Sequence, residues 1–331
     1  MKVNGVLVTL DTLENVVDEA IDKNCNLIVS FHPIIFNGLK KITGKNYVEK
    51  TVLKAIKNDI AIYAIHTALD NCTAGVNAKI CEKLGLTNTN ILIPQKGTIK
   101  KLVTYVPVEN SNHLKRELFA AGAGEIGNYS DCSFLVEGTG SYKANEKANP
   151  TKGGIGNIHY EKETRISVTF SKSKEKQVIS SLLKHHPYEE VAYEISTLEN
   201  TNRHIGMGMI GELESSQSET TFLKQLKEKM NATVVRHSAF RNRQVKKVAV
   251  LGGSGSFAIG AAKAAGADVY VTADVKYHEF FQAENQLLIA DIGHFETEQF
   301  TKNLLVDYLT KKIPNFAVRL SESITNPIKY F

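Results

Sequence analysis

The stretch GVLVTLDTLENVVDEAIDKNCNLIVSFHP, residues 5–33, sets two apolar runs of strand length on either side of an amphipathic segment. GVLVTLD reads as a buried strand. TLENVVDEAIDKN reads as a helix, with Thr12 as its N-cap and apolar residues at helical spacing. CNLIVSF reads as the next strand and ends at His32-Pro33. Strands joined through a helix pair in parallel, and the helices then cover the sheet.

The pattern repeats outward. NYVEKTVLKAIKND predicts a helix, IAIYAIH a third strand and GVNAKICEKLGL a further helix. From about Lys101 the order changes. KLVTYVP, SNHLKRELFAAG and CSFLVEG read as strand, helix and strand, and residues 139–162 carry no apolar periodicity. TRISVTF, KEKQVISSLLKHH and EEVAYEISTL then give strand, helix and strand again. That order is a split βαβ sandwich. The α/β pattern resumes with ETTFLKQLKEKM, KKVAVLGGSGS, AIGAAKAAG, ADVYVTAD and NQLLIADIG, and closes on one long helix, HFETEQFTKNLLVDYLTKK. The expected fold is a split α/β core, residues 1–100 and 200–331, interrupted by a ferredoxin-like α+β domain at 101–199.

Composition sets outer bounds. The 331 residues are 42% hydrophobic and 23% charged, as in globular proteins, with no Trp. The net charge of +5 is dispersed, and no basic tract interleaved with aromatics calls for a nucleic acid. Four cysteines without a C-x-x-C pair suit a reducing compartment. No apolar run has the length of a membrane span, and MKVNGVLVTLD does not read as a signal peptide. A cytoplasmic location is the expectation.

In open α/β sheets, ligands gather beyond the carboxyl ends of the strands. The first strand delivers Asp11 there, the second Phe31 and His32, and the third His66 and then Asp70. VYVT leads to Asp274, Lys276 and His278, and the last strand to Asp291, His294 and Glu298. Singly, each has an ordinary structural use: Asp11 as a helix cap, His66 as a core histidine, Asp70 as a turn residue, His294 and Glu298 as a solvated i, i+4 pair. Together they are a ligand set for zinc, iron or manganese.

The glycine turn LGGSGSFAIG, residues 251–260, lacks the spacing of a dinucleotide fingerprint or a P-loop. It approaches a nucleophile elbow, with Ser254 as nucleophile and His278 or His294 as base, although Ser256 replaces the last glycine. The favoured reading is a nest of backbone N–H groups, with Gly253, Ser254, Gly255 and Lys276 holding an anionic substrate. HHPYEEVAYEI, residues 185–195, reads as a helix stop followed by a polar edge strand opened by Glu189 and Glu190, in preference to a metal motif.

SFHPIIF, HTALDN, VAVLGGSGS, VTADVKYH and DIGHFETE, in this order, resemble the Nif-three-like family, whose members are also labelled GTP cyclohydrolase 1 type 2 homologues. ANPTKGGIGNIHYEKETRI and HPYEEVAYEI are similar to its long form, with a PII/CutA-like insert. The resemblance implies a dinuclear divalent-metal site in a homohexamer, a dimer of trimers. His32 and Asp70 would hold one ion, His294 the other, and Glu298 would bridge them. Bacterial members read His-His-Pro where this chain has Phe31, so the second ion is expected to bind weakly or to use water or His66. The family's preceding segment, with its Asp-Asn-x-Gly stretch, is missing before Met1, and an exposed apolar patch is expected where it would pack. The implied activity is hydrolysis of a small molecule, with His278, His66 and Asp11 as acid–base candidates and no motif that reads guanine. The competing expectation is a non-catalytic metal-binding hexamer whose insert senses a metabolite or recruits a partner.

Overall fold

The computed structural model describes residues 1–331 and resolves them into two compact units, Met1–Pro94 with Arg203–Phe331, and Gln95–Asn202. The first is a core of two sheets. One has four parallel strands in the order Val318–Leu320, Val6–Thr9, Leu27–Ser30, Ala61–Ala64. The other has six strands in the order Arg236–His237, Leu288–Asp291, Val269–Ala273, Gln244–Ser254, Asn202–Ser218, Thr87–Gln95. Its Gln244–Ser254, Val269–Ala273 and Leu288–Asp291 strands are parallel. Val6–Thr9, Val269–Ala273 and Leu288–Asp291 are buried throughout, as parallel strands covered on both faces must be. Fully burying each such apolar side chain contributes roughly 1.5–3 kcal/mol.

The second unit is a four-stranded antiparallel sheet in the order Phe134–Lys143, Ile158–Ser171, Ile99–Pro107, Tyr193–Thr197. Helices Ser111–Ala120 and Glu175–His185 make the two crossovers and pack Leu114, Leu118, Val178 and Leu182 on Leu102, Ile166 and Val168. This is the ferredoxin-like topology. No helix in either unit is long and apolar enough to cross a membrane.

Several local readings differ. The first helix begins at Glu14 with Leu13 at its N-cap, and the Thr12 hydroxyl is buried without a partner instead of capping. The last long helix is two, His294–Glu298 and Thr301–Lys312. Residues 139–162 are not unstructured, because Phe134–Lys143 pairs with Ile158–Ser171 over ten residues to form a hairpin exposed on much of its surface. Glu189 and Glu190 lie in the loop before Tyr193–Thr197 and do not open that strand.

One carboxylate gathers the start of the C-terminal segment against the core. Glu19 accepts from the hydroxyls of Ser321 and Ser323 at 2.7 and 2.6 Å, from the Glu322 and Ser323 N–H groups at 2.8 and 3.1 Å, and from Lys23 at 2.8 Å. Burial alone would raise its pKa. Lys23 and these donors outweigh that and lower it from 4.5 to about 2. A carboxylate depressed in this way stabilises fully above its unfolded value and loses that contribution as pH falls through the folded one. Glu19→Gln is therefore expected to cost about 2 kcal/mol at pH 7. Urea unfolding of both proteins should show this gap closing as the pH falls from 4.5 toward 2.

Candidate metal centre

His32 leaves the buried Leu27–Ser30 strand in a fixed turn. Its N–H donates to Leu10 O at 2.9 Å, and Ser30 Oγ donates to the carbonyl of His32 at 2.7 Å. Its Nδ1 lies 2.8 Å from Asp11 Oδ1, while Thr325 Oγ1 donates to the other Asp11 oxygen at 2.6 Å. The Asp11 carboxylate accepts, so neutral His32 carries its proton on Nδ1 and its lone pair on Nε2.

His294 reaches the same point from the other sheet. Gly293 (φ +95°) turns the chain out of Leu288–Asp291, and His294 Nδ1 meets Asp274 Oδ2 at 2.6 Å. Glu298 stands one turn further along the same short helix and is 4% exposed. Its Oε2 is 3.0 Å from His32 Nε2 and 3.2 Å from His294 Nε2. The ligand atoms of His32, His294 and Glu298 all lie within 4.8 Å of one another.

A divalent ion fits this donor set. His32 Nε2 and Glu298 Oε2 are buried and have no hydrogen-bond partner, although they lie 3.0 Å apart. Both imidazoles are backed by carboxylates, the usual support of a metal-bound histidine. Without an ion the three groups hold each other by charge. Burial would lower the His32 pKa, but Asp11 and Glu298 raise it to about 9. Glu298, then Asp274, raise that of His294 to about 9 against burial. Burial would raise that of Glu298, and the two imidazoles lower it instead.

The glycine turn closes the centre. A Cβ on Gly253 (φ +69°) would lie 2.4 Å from Glu298 Oε1 and 3.3 Å from the His294 ring. Its N–H donates to Thr297 Oγ1 at 2.9 Å, and that of Gly252 donates to Asn77 Oδ1 at 2.9 Å. These two amides are thus engaged within the protein. Glycine is needed here for close approach to the ligands.

The three groups face a cavity of about 540 Å³. Asp11, His66, Asp70, Gly253 and Ser254 also line it, and no Lys or Arg does. Asp70 stands outside the tight cluster. Burial, then the charge of Glu298, raises its pKa to about 7 against the pull of His32 and His294. The His66 ring is 5.3 Å from that of His32 and carries no side-chain hydrogen bond. Burial, then His32, lowers its pKa.

Gly255, Lys276 and His278 are not among the lining residues. Gly255 packs against Thr272 and Tyr270, whereas Lys276 and His278 are exposed. Ser254 makes no hydrogen bond to a histidine, and both His294 nitrogens face carboxylates. Asp274, Thr297, Asn77 and Thr325 are the supporting residues; the sequence reading has Asp274 only within the strand-tip ligand set and gives the other three no role. Asp274 alone carried a signal, as the acid at the tip of VYVTA.

Phe31 turns away from solvent. It is 0% exposed and packs with Leu10, Val76 and Ile80, its ring 4.8 Å from that of His32 and 5.6 Å from that of His66.

Comparison with known proteins places these features in a family. The sequence profile described as Duf34/NIF3 (NGG1p interacting factor 3) matches residues 1–327. A Bacillus subtilis protein named GTP cyclohydrolase 1 type 2 homolog is 41% identical over 334 residues, covering 99% of this chain and 89% of that protein. A namesake from Staphylococcus aureus strain COL is 34% identical over 337 residues, covering 100% and 91%. Among solved structures, a Bacillus cereus protein related to NIF3 superposes with a TM-score of 0.86 at 39% identity, covering 100% of this chain and 90% of the other. Staphylococcus aureus protein SA1388 gives a TM-score of 0.78 at 29% identity, covering 100% and 89%. The chain belongs to the Duf34/NIF3 family.

Proposed function

We propose that the chain is a metal-dependent hydrolase of a small molecule, acting at the centre formed by His32, His294 and Glu298. One observation carries this reading: two carboxylate-backed imidazoles and a buried glutamate converge, with unpartnered donor atoms, on the wall of a substrate-sized cavity. A divalent ion held there would supply a Lewis acid and lower the pKa of a bound water. Asp11 and Asp274 orient the two imidazoles and keep each Nε2 lone pair turned inward. His66, an imidazole without a hydrogen-bonded partner, and the Asp70 carboxyl are the groups on the cavity wall free to take or give a proton, and the imidazole is the one this reading assigns. Ser254 and the Gly253 backbone bound the substrate from the opposite tip. With no Lys or Arg in the wall, an anionic substrate group would be drawn by the ion alone.

The number of ions follows from Phe31. Its phenyl ring offers no donor, so one ion is held firmly and a second only weakly, with Asp70 and His66 as the remaining groups nearby. The homohexamer carried by the family resemblance is part of this reading and is checked by sedimentation velocity.

A second reading, a metabolite sensor acting through the insert, is favoured by one feature: the Gln95–Asn202 unit has its own cavity, of about 420 Å³.

Elemental analysis of protein purified and reloaded with zinc, iron or manganese should give near one tightly held ion per chain. His294→Ala and Glu298→Ala should lose it. Asp274→Asn, which keeps the shape and removes the charge behind His294, should weaken metal affinity 10–100-fold in a competition titration with a chelator. Phe31→His should raise the ion count toward two in protein whose circular dichroism is unchanged. An unaltered count in folded variant protein would contradict this account of the second site. In an assay of phosphoesters, cyclic amides and nucleotides, His66→Ala should keep its metal and lose about a hundredfold or more in turnover. Silence of the metal-loaded protein across that panel would favour the sensor.

A further inference from the structure

The insert's cavity has a composition of its own. It is walled by Tyr105, Tyr142 and Tyr188, by small residues such as Gly140 and Ala144, and by three carboxylates, Glu163, Glu189 and Glu190. No Lys, Arg or His lines it. The ion pairs of this unit are Lys100–Glu175, Lys152 with Glu109 and Glu161, His159–Glu161 and His185–Glu117. None of the three lining glutamates is paired with a cation.

The walls are fixed before any ligand arrives. Tyr188 N–H donates to His186 Nδ1 at 3.1 Å. His186 therefore carries its proton on Nε2, which donates to Tyr105 O at 2.9 Å. At 7% exposure, with both nitrogens engaged, His186 is a strut holding the Tyr188 turn, with no lone pair left for a metal. The Tyr188 hydroxyl donates to Glu163 Oε1 at 2.8 Å. Tyr142 OH donates to Lys152 O at 2.8 Å. The two tyrosine rings stand with centroids 6.1 Å apart at 63°. A Cβ on Gly140 would lie 2.2 Å from Glu163 Oε2, so glycine there leaves room for the carboxylate against the strand.

Charge decides what fits. Three carboxylates without cations repel an anion. A neutral apolar guest would strip water from Glu163, the half-buried one of the three, without replacing it, whereas Glu189, which accepts from Asn149 N–H at 2.8 Å, and Glu190 are exposed. A bare metal ion needs converging donors, and the His32, His294 and Glu298 group is the one such cluster in the chain. A cation with an apolar body satisfies both kinds of wall, its charge on Glu163 and its stem against the tyrosine faces.

We propose that the insert's cavity binds a small organic cation, an ammonium or guanidinium head on an apolar stem, with Glu163 as its counter-ion and Tyr142 and Tyr188 as its walls. This holds whether or not the metal centre turns over a substrate.

Calorimetric titration of the full chain with n-butylammonium, n-butylguanidinium, 1-pentanol and pentanoate tests it. The two cations should bind saturably, one per chain, and at least tenfold more tightly than the alcohol or the acid. Glu163→Gln should weaken cation binding at least tenfold. Glu161→Gln, outside the lining, should leave it unchanged. His294→Ala should also leave it unchanged, which separates this cavity from the metal centre. Equal binding of alcohol and cation, no saturable binding of either cation, or full affinity in Glu163→Gln would each overturn the proposal. The comparison of charged and neutral probes on the unmutated protein decides the matter even where a variant fails to fold.

Discussion

A glutamate that is 4% exposed cannot stay charged without a positive partner, and Glu298 imposes that demand on the core. Desolvating a carboxylate costs several kcal/mol in real proteins, so the surroundings must return a comparable attraction. They do so with two imidazoles aimed from different sheets. Each imidazole is aimed by a further acid, Asp11 or Asp274. The result is four carboxylate and imidazole side chains arranged in series around Glu298. Protonated imidazoles satisfy it, and so does one divalent ion with the imidazoles neutral. The same geometry thus accounts for how the three groups hold together electrostatically and offers a donor set that one divalent ion would fit.

Precision at that point comes from neighbouring side chains that hold the glycine turn and the imidazoles in place. Thr297 accepts from Gly253 N–H and donates to His294 O at 2.7 Å, which locks the glycine turn to the ligand helix. Asn77, on the helix Val76–Leu84, accepts from Gly252 N–H and donates to Asp70 O at 3.3 Å. Thr325 braces Asp11 from the C-terminal segment, which Glu19 anchors in turn. The tail is therefore part of the site's support. Loss of the Glu19 anchor would be felt at His32 through Asp11.

The strand tips were legible because parallel strands are buried on both faces. An apolar run that stops at Asp or His marks both the end of the strand and the residue presented there, and His32, Asp11, His66 and His294 were found in this way. The pairing of His294 with Glu298 was legible because helical geometry fixes the i, i+4 offset. The glycine turn was not. An anion nest and a close backbone approach both require glycine, and they differ only in where the N–H groups go, which depends on Asn77 and Thr297, far away in sequence. Lys276 and His278 could not be judged either, because the chain enters a 3₁₀ turn at Tyr277 that leaves both exposed. The strand Asn202–Ser218 was missed for a related reason. Gly206, Gly208 and Gly211 break its apolar alternation, and each lies where a Cβ would come within 3.0 Å of a neighbouring strand.

Phe31 shows two demands meeting at one position. The strand tip that presents His32 to the candidate centre must also seal the core beneath it, and Phe31 does the sealing in the same buried cluster as Leu10, Val76 and Ile80. Its ring also packs against His32 at a tilt and against His66 edge-on, crowding both imidazoles without donating to either. A histidine in its place would be a buried polar ring beside two others. With no ion to accept its lone pair it would carry an unmet desolvation cost, and protonated it would repel its neighbours. Phenylalanine avoids both penalties. With this residue the strand tip offers no donor beside His32 and gains a buried apolar floor.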